Sequence, residues 1–284
     1  MQILTTIETL RQTLTPHRQQ GAKIALVPTM GNLHAGHIAL IEVARRHADI
    51  VVATIFVNPM QFGAGEDLDA YPRTLVEDQS KLEAAGCDLL FTPANDMLYP
   101  QGLDAHTKVR VPVVSEGLCG ASRPGHFEGV ATVVTLLFNL VQPDIACFGE
   151  KDYQQLAVIR KLTADLHLPI EIIGTPTIRN DDGLALSSRN GYLDAAQRAQ
   201  APMLYDALCR ARDALEDGVP PDDVLREALT RLTAANFKPD YLELRRADDL
   251  GPVNDTTQHA ILLAAAHLGP TRLIDNIPVS LSAN

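Results

Sequence analysis

Two histidines three residues apart are the first candidates for chemistry in this sequence. His34 and His37 belong to the stretch PTMGNLHAGH, which follows an apolar run and precedes an amphipathic run. At a junction of strand and helix, both side chains would share one face of the first helical turn, where free backbone N–H groups and the helix dipole favour anions. Each imidazole can donate a hydrogen bond to a phosphate oxygen, and a protonated one can meet charge that develops in a transition state. The pattern therefore predicts a nucleotide-type site.

Two alternative roles of the histidine pair stay open. The same spacing occurs for surface or core histidines, and two histidines can also bind a metal. The zincin pattern H-E-x-x-H, the dinucleotide fingerprint G-x-G-x-x-G and the phosphate loop G-x-x-x-x-G-K-[ST] are absent from the sequence. The placement after a strand and a glycine turn favours a nucleotide site that uses histidines in place of a phosphate-loop lysine.

Two further polar segments offer groups that suit a triphosphate. In FGEKDYQQL, Lys151 supplies a positive charge, while its neighbour Asp152 is either a ligand or merely a helix cap. In ALSSRN, the hydroxyls of Ser187 and Ser188 and the guanidinium of Arg189 suit a phosphate clamp. A solvated linker would have the same composition as this second segment.

Amides and one arginine are candidates for a small polar substrate. Gln61 follows an apolar run in NPMQF, and Arg123 lies in the Gly/Pro loop GASRPGHFEG. Gln154 and Gln155 are adjacent in the sequence, so we expect at most one of them to face the site.

Two acids in YPRTLVEDQSKL are candidates for a magnesium site. Glu77 and Asp78 could hold an ion that bridges phosphates, because Mg²⁺ prefers carboxylate oxygens. An exposed position on a helix is the alternative for at least one of them.

Strands and helices alternate in the first half of the chain. The predicted strands are KIALVP, DIVVATIFVN, CDLLFTP, IACFGE and IEIIGTPT, and the predicted helices cover residues 35–47, 73–85, 129–141 and 152–166. This alternation predicts an α/β fold, a doubly wound parallel (Rossmann-like) sheet. Ligands of such sheets bind beyond the carboxyl ends of the strands, which is where the polar segments fall.

The pattern changes near residue 180, and we expect two domains, 1–178 and 179–284. The second domain begins with the polar loop NDDGLALSSRNGY. It continues with helical stretches at 195–216 and 221–235 and with the apolar segments DYLELR, AILLAAAHL and RLIDN. This order predicts a smaller C-terminal α+β domain.

Composition excludes several classes of function. The chain has 284 residues, 46% of them hydrophobic, and a formal net charge of −11, which argues against general nucleic-acid binding. Its four cysteines contain no C-x-x-C pair, as in a reduced cytosolic protein. No secretory signal and no membrane-length apolar run is evident, so we expect a cytoplasmic protein that does not bind membranes.

Longer strings in the sequence resemble one known family. PTMGNLHAGH, IFVNPMQF, YPRT, SRPGHFEGV, PDIACFGEKDYQQL and GLALSSRNGYL, in this order, are similar to the pantothenate synthetase (pantoate–β-alanine ligase) family. H-x-G-H alone would mark only the wider nucleotidyltransferase superfamily. The resemblance implies a ligase that uses ATP and Mg²⁺ to condense (R)-pantoate with β-alanine through a pantoyl adenylate, with release of AMP and pyrophosphate. It also implies a cytosolic homodimer.

The resemblance also assigns roles to residues. His34, His37, Lys151 and Arg189 would be catalytic, with an acid-type role at His37. Gln61 and Gln155 would bind pantoate, Gln61 would also lie near β-alanine, and Arg123 would contact phosphate or substrate. Apart from the resemblance, we expect Asp78, of the two acids named above, to bind the metal. The nucleotide would contact Met30, Gly31, Asn32, Leu33, His34, Ala35, Gly36, His37, Gly149, Glu150, Lys151, Asp152, Ile178, Leu186, Ser187, Ser188 and Arg189. The C-terminal domain would act as a lid that excludes water from the adenylate.

Three other functions stay open at this point. A nucleotidyltransferase that forms a dinucleotide or coenzyme would release pyrophosphate but never AMP. A non-catalytic nucleotide-binding module would bind ATP without turnover. A fragment of a tRNA synthetase is disfavoured by the net charge of −11.

Overall fold

The computed structural model describes residues 1–63 and 65–281. The strands are β1 (Gln2–Leu4), β2 (Ile24–Thr29), β3 (Ile50–Ile55), β4 (Leu89–Phe91), β5 (Ile145–Gly149), β6 (Glu171–Thr175), β7 (Phe237–Arg246), β8 (His259–Leu268) and β9 (Thr271–Ser280). The helices are α1 (Ile7–Gln19), α2 (Ala35–His47), α3 (Leu75–Ala84), α4 (Asn95–Leu98), α5 (Leu118–Ser122), α6 (His126–Val141), α7 (Tyr153–Asp165), α8 (Ala195–Gln200), α9 (Met203–Glu216) and α10 (Pro221–Ala234). Short 3₁₀ turns cover Pro59–Gln61, Glu150–Asp152 and Ser188–Tyr192.

The first six strands form one parallel sheet in the order β1-β4-β3-β2-β5-β6. The direction of winding changes between β2 and β5, which are neighbours in the sheet although two strands separate them in the chain. A crevice opens at such a switch point, beyond the carboxyl ends of both strands. Residues 30–37 follow β2 and residues 150–155 follow β5, so the sheet brings these two polar segments together.

Helices cover both faces of this sheet, which confirms the doubly wound prediction. Helices α1, α6 and α7 pack on one face, and α2 and α3 pack on the other. Most side chains of α6 are apolar and 11 of its 16 residues are buried, because this helix lies between the sheet and other elements. Burial on both faces also explains the continuous apolar runs of β2 and β3.

The last three strands form an antiparallel sheet in the order β7-β8-β9. Helices α9 and α10 pack on one face of it and form a separate hydrophobic cluster with residues from 184 to 279. On the other face, Ile261 and Leu263 of β8 belong to the core of the first sheet's domain. The predicted α+β unit is thus present, and it packs against the parallel-sheet domain.

Some elements differ from their predictions. The single helix predicted at 195–216 is divided into α8 and α9, since Pro202 has no N–H and stands at the start of α9. The first strand and helix, β1 and α1, had no predicted counterpart, nor did the short helices α4 and α5. The exact domain boundary near residue 178 stays a prediction. Within the described residues, no helix is long and apolar enough to cross a membrane.

Candidate active site

The loop between β2 and α2 fixes both histidine rings through the backbone. Nδ1 of His34 accepts a hydrogen bond from the N–H of Gly36 at 3.1 Å, and Nδ1 of His37 accepts one from the N–H of His34 at 3.3 Å. Both Nδ1 atoms therefore act as acceptors, so the neutral rings carry their protons on Nε2. A Cβ atom on Gly36 would lie 2.9 Å from the His34 ring, so glycine is needed for this arrangement. The loop thus holds two Nε2–H donors with ring centroids 4.1 Å apart.

The electrostatic environment keeps both histidines neutral. Burial, followed by the charge of Lys151, lowers the pKa of His34 to about 4. Burial, followed by the proximity of His34, lowers the pKa of His37 to about 3. At neutral pH the pair therefore offers hydrogen-bond donors and no positive charge. The sequence alone also allowed a protonated histidine that meets charge in the transition state. An acid role for His37 requires that bound phosphates raise its pKa.

Asp78 holds this loop in place from α3. Its carboxylate is fully buried and accepts hydrogen bonds from the N–H groups of Asn32 at 2.8 Å and Leu33 at 2.7 Å. The hydroxyl of Thr74 donates to it as well, at 3.1 Å. Both carboxylate oxygens are therefore occupied and enclosed. This geometry favours a role in positioning the loop over the predicted role of a metal ligand, because the Asp78 carboxylate is fully buried and does not line the cleft.

The turn after β5 supplies a cation on the opposite side of the crevice. Lys151 and Asp152 lie in the 3₁₀ turn that leads into α7, and both line the cleft. Gln155 lines the same space. Gln154 also borders the larger cavity, but its side chain is buried and binds main-chain groups of residues 114–119, including the N–H of Cys119 at 2.9 Å. The expectation that at most one of the two glutamines faces the ligand stays a prediction, with Gln155 as the one whose side chain these contacts leave available.

The predicted clamp loop closes over the histidine loop. The hydroxyl of Ser188 donates to the carbonyl of Asn32 at 3.1 Å, which joins the two loops directly. Arg189 forms a bidentate ion pair with Asp67, at 2.8 and 3.1 Å. In this structure the guanidinium of Arg189, which would bind phosphate, is therefore engaged by the carboxylate of Asp67. The carbonyl of Ile178 accepts a hydrogen bond from the N–H of Leu186 at 2.9 Å, which ties the two ends of this segment together.

A network of amides orients Gln61 at the end of β3. The side chain of Asn58 donates to Oε1 of Gln61 at 3.0 Å and receives a hydrogen bond from the hydroxyl of Tyr99 at 2.6 Å. Gly129 of α6 lies so close that a Cβ there would be 2.4 Å from the carbonyl of Met60. Gln61 is 8% exposed and faces the cavity beside the histidines.

Arg123 joins the same site from the loop before α6. Its guanidinium pairs with Glu66, at 2.8 and 2.7 Å, and donates to Nε2 of His126 at 3.0 Å. Nδ1–H of His126 in turn donates to the carbonyl of Gln61 at 2.9 Å. Burial, followed by the charge of Arg123, lowers the pKa of His126 to about 4, so this ring is a neutral connector.

Two adjoining cavities contain most of the predicted site. One of about 240 Å³ lies over the histidine loop, and one of about 540 Å³ lies between the parallel-sheet domain and the C-terminal sheet. The predicted residues that line one or both are Met30, His34, Gly36, His37, Gln61, Arg123, Gly149, Lys151, Asp152, Gln155, Ile178, Leu186, Ser187, Ser188 and Arg189. Six other predicted residues do not line these cavities: Gly31, Asn32, Leu33, Ala35, Asp78 and Glu150.

Sequence reasoning missed several partners of the site residues. Glu66 and Asp67 pair with the two cleft arginines, and Asn58 orients Gln61. Acids in the loop directly after NPMQF were the available signal for the first two. The distant residues Asp275 and Asn276 of β9 gave no local signal, because only the tertiary fold brings them to the site.

The side chains that line the cleft suit a metal ion that arrives bound to the nucleotide. No group of three or more His, Cys, Asp or Glu side chains arranged to hold a metal occurs in residues 1–63 and 65–281. Mg²⁺ commonly keeps its waters and binds phosphates plus one or two carboxylates, so a protein cage is not needed. Asp152 lines the cleft and makes no capping hydrogen bond to α7, so it is the carboxylate that fits this role.

Comparison with known proteins supports the family resemblance that the sequence motifs suggested. The family model described as Pantoate-beta-alanine ligase matches residues 2–278. The pantothenate synthetase of Chromohalobacter salexigens is 66% identical over 281 residues, which are 99% of each chain. The crystal structure of pantothenate synthetase from Thermus thermophilus has a TM-score of 0.91 at 46% identity and covers 98% of this chain and 99% of its own. That of pantoate-beta-alanine ligase from Francisella tularensis, complexed with Beta-gamma ATP and Beta-alanine, has a TM-score of 0.80 at 33% identity and covers 98% and 97%.

Proposed function

Since the chain belongs to the pantoate–β-alanine ligase family, we propose that its cleft binds ATP and pantoate side by side and joins them as a pantoyl adenylate. The chain is an ATP-dependent ligase that condenses pantoate with β-alanine. The alternatives, a nucleotidyltransferase and a binding module, are not favoured at this similarity.

The observation that carries the proposal is the facing pair of polar segments at the sheet's switch point. The Nε2–H groups of His34 and His37 and the cation of Lys151 border one cavity beyond the carboxyl ends of β2 and β5. In the first step, a pantoate carboxylate oxygen attacks the α-phosphorus of ATP, the bond to the bridging oxygen breaks, and pyrophosphate leaves. Catalysis of such a transfer depends mainly on alignment and on stabilisation of charge on the phosphoryl oxygens. Neutral imidazole donors and Lys151 supply that stabilisation.

Arg189 adds a second cation once it leaves Asp67. The side chains of this ion pair are 31% and 24% exposed, and a triphosphate can displace the carboxylate because it offers the guanidinium an anion of greater negative charge. The hydrogen bond from Ser188 to Asn32 then keeps the clamp loop beside the histidine loop.

Amide groups suit the hydroxyl and carboxylate oxygens of pantoate. Gln61 and Gln155 both line the cavity that contains the histidines, and Arg123 borders it. In the second step, the β-alanine amine attacks the acyl carbon of the adenylate, an amide bond forms, and AMP leaves with the former carboxylate oxygen. The C-terminal sheet lines the larger cavity, which suits a lid that keeps water from the adenylate.

Isotope labelling tests the proposed sequence of bonds. Pantoate carrying ¹⁸O in its carboxylate should deliver one labelled oxygen to AMP in each turnover, which mass spectrometry of the nucleotide reports. Unlabelled AMP would exclude carboxylate attack on the α-phosphorus. His37→Ala and Lys151→Ala should each lower the rate of pyrophosphate release by at least about 100-fold in a folded protein, the usual scale for one preorganised donor. Gln155→Ala should mainly weaken pantoate binding.

We also propose Mg²⁺ as the metal that accompanies ATP, where it would neutralise phosphate charge when bound. Asp152 would be its contact with the chain. A homodimer in the cytoplasm is proposed from the family resemblance. The four unpaired cysteines, three of them buried, suit a reducing compartment. Light scattering after gel filtration tests the dimer, since a mass near 31 kDa instead of twice that value would contradict it.

A further inference from the structure

Strand β9 presents the polar side chain of Asn276 to the parallel-sheet domain, on the same face as Arg272 and Ile274. Along β9, side chains alternate between the α9–α10 face and the face that packs on the parallel-sheet domain. Asn276 pairs in register with Leu263, which belongs to the core of the parallel-sheet domain. Asn276 is only 7% exposed, so its amide needs hydrogen-bond partners from that domain.

Those partners lie in the turn that contains Lys151. The side-chain nitrogen of Asn276 donates to the carbonyls of Glu150 and Lys151, at 2.9 Å each. Carbonyl oxygens only accept hydrogen bonds, so the NH₂ group and not the amide oxygen must face them. A 3₁₀ turn of three residues makes few internal hydrogen bonds, so two bonds to consecutive carbonyls strongly restrict its backbone.

Asp275, which precedes Asn276 in β9, anchors the segment that leads to Arg189. Asp275 points to the opposite face and forms a bidentate ion pair with Arg179, at 2.6 and 2.8 Å. The guanidinium of Arg179 also stacks on the ring of Tyr205, 3.6 Å from its centroid. Arg179 directly follows Ile178 and begins the segment that leads to Arg189. One strand of the C-terminal sheet therefore holds both segments that face the histidine loop.

We propose that Asn276 is a positioning residue that fixes the direction of the Lys151 side chain by holding the Glu150 and Lys151 carbonyls. This inference rests on the proposed function for its assignment of Lys151 to the phosphates. The substitution Asn276→Asp preserves shape and removes both donors, and it places a carboxylate against two carbonyl oxygens. The turn must then move, and Lys151 moves with it.

A double-mutant cycle separates this role from a general loss of stability. Asn276→Asp should lower the rate of pantoate-dependent pyrophosphate release at least about 10-fold in the parent background. In a Lys151→Ala background the same change should have less than about a 3-fold effect, because no lysine remains to be misplaced. Equal factors in both backgrounds would overturn the proposal. Asn254→Asp is the matched control, since Asn254 is an exposed asparagine of the C-terminal domain with no contact to this turn.

Two further measurements keep the proposal testable. If Asn276→Asp shows no cooperative unfolding transition, Asn276→Ala removes both donors without adding a charge and should lose about 3- to 10-fold activity, again only when Lys151 is present. If the parent protein releases no pyrophosphate with pantoate, the proposed function fails, and the same cycle is measured as ATP dissociation constants by calorimetry. Weaker ATP binding of Asn276→Asp only with Lys151 present supports the positioning role, whereas unchanged or equally weakened binding overturns it.

Discussion

Replacement of Asp78 by asparagine separates a loop anchor from a metal ligand. The buried carboxylate accepts two backbone N–H groups, from Asn32 at 2.8 Å and Leu33 at 2.7 Å. An asparagine side chain has one acceptor oxygen, so at least one of these N–H groups faces an NH₂ group and loses its partner. Hydrogen bonds to charged groups contribute about 1.5–3 kcal/mol, and a buried unpaired donor costs about 1–3 kcal/mol. After allowance for the easier burial of a neutral side chain, we expect Asp78→Asn to lower the free energy of unfolding by about 2–4 kcal/mol.

Urea unfolding without Mg²⁺ or ATP measures this effect apart from catalysis. The matched control is Glu77→Gln, which removes one negative charge from the adjacent, exposed position of α3 and should change stability by less than about 0.5 kcal/mol. Activity should also fall, since the loop carries His34, but the Mg²⁺ concentration for half-maximal rate should stay the same. Unchanged stability together with a selectively higher Mg²⁺ requirement would refute the anchoring role and restore the metal ligand.

Three other outcomes follow from the same geometry. Gly36→Ala should lower the rate of adenylation at least about 10-fold in steady-state assays, because the new Cβ would lie 2.9 Å from the His34 ring. The melting temperature should change little. Activity near that of the parent protein would contradict this prediction. The folded-state pKa values of His34 and His37, about 4 and 3, lie below the unfolded value of 6.5, so the unfolded chain binds more protons below that pH. The free energy of unfolding should therefore fall as pH falls from about 6.5 towards 4. In urea titrations at several pH values, His37→Gln should lose less stability over this range than the parent protein. An identical dependence on pH in both proteins would count against these pKa shifts. Asp67→Asn should tighten ATP binding about two- to fivefold in calorimetry, since Arg189 no longer leaves an ion pair, and weaker binding would show that Asp67 helps the nucleotide.

Local sequence patterns sufficed to locate most of the parallel-sheet domain. The predicted helix at 35–47 coincides with α2, because apolar periodicity and the glycine turn define both of its ends. Burial on both faces made β2 and β3 recognisable as continuous apolar runs. The short first strand β1 was missed, because three residues of an edge strand carry too little periodicity.

Contacts between distant residues set the limits of the site prediction. The positions of His34, Lys151 and Gln155 followed from strand ends, which sequence periodicity reveals. The role of Asp78 did not follow from the sequence. An aspartate on a helix gives the same sequence pattern whether it faces solvent or accepts hydrogen bonds from two backbone N–H groups 46 and 45 residues away. The same holds for Asn276, whose partners lie 126 and 125 residues away. The lowered pKa values of the histidines likewise depend on burial that only the folded chain creates.

Product analysis tests the central claim most directly. The purified protein is incubated with ATP, Mg²⁺ and pantoate, with and without β-alanine, and the nucleotides are separated. We expect AMP and pyrophosphate to accumulate over many turnovers only when β-alanine is present, with no more than about one equivalent per site in its absence. Catalytic pyrophosphate release with a stable nucleotide-bearing product, or ATP binding without turnover, would contradict the account.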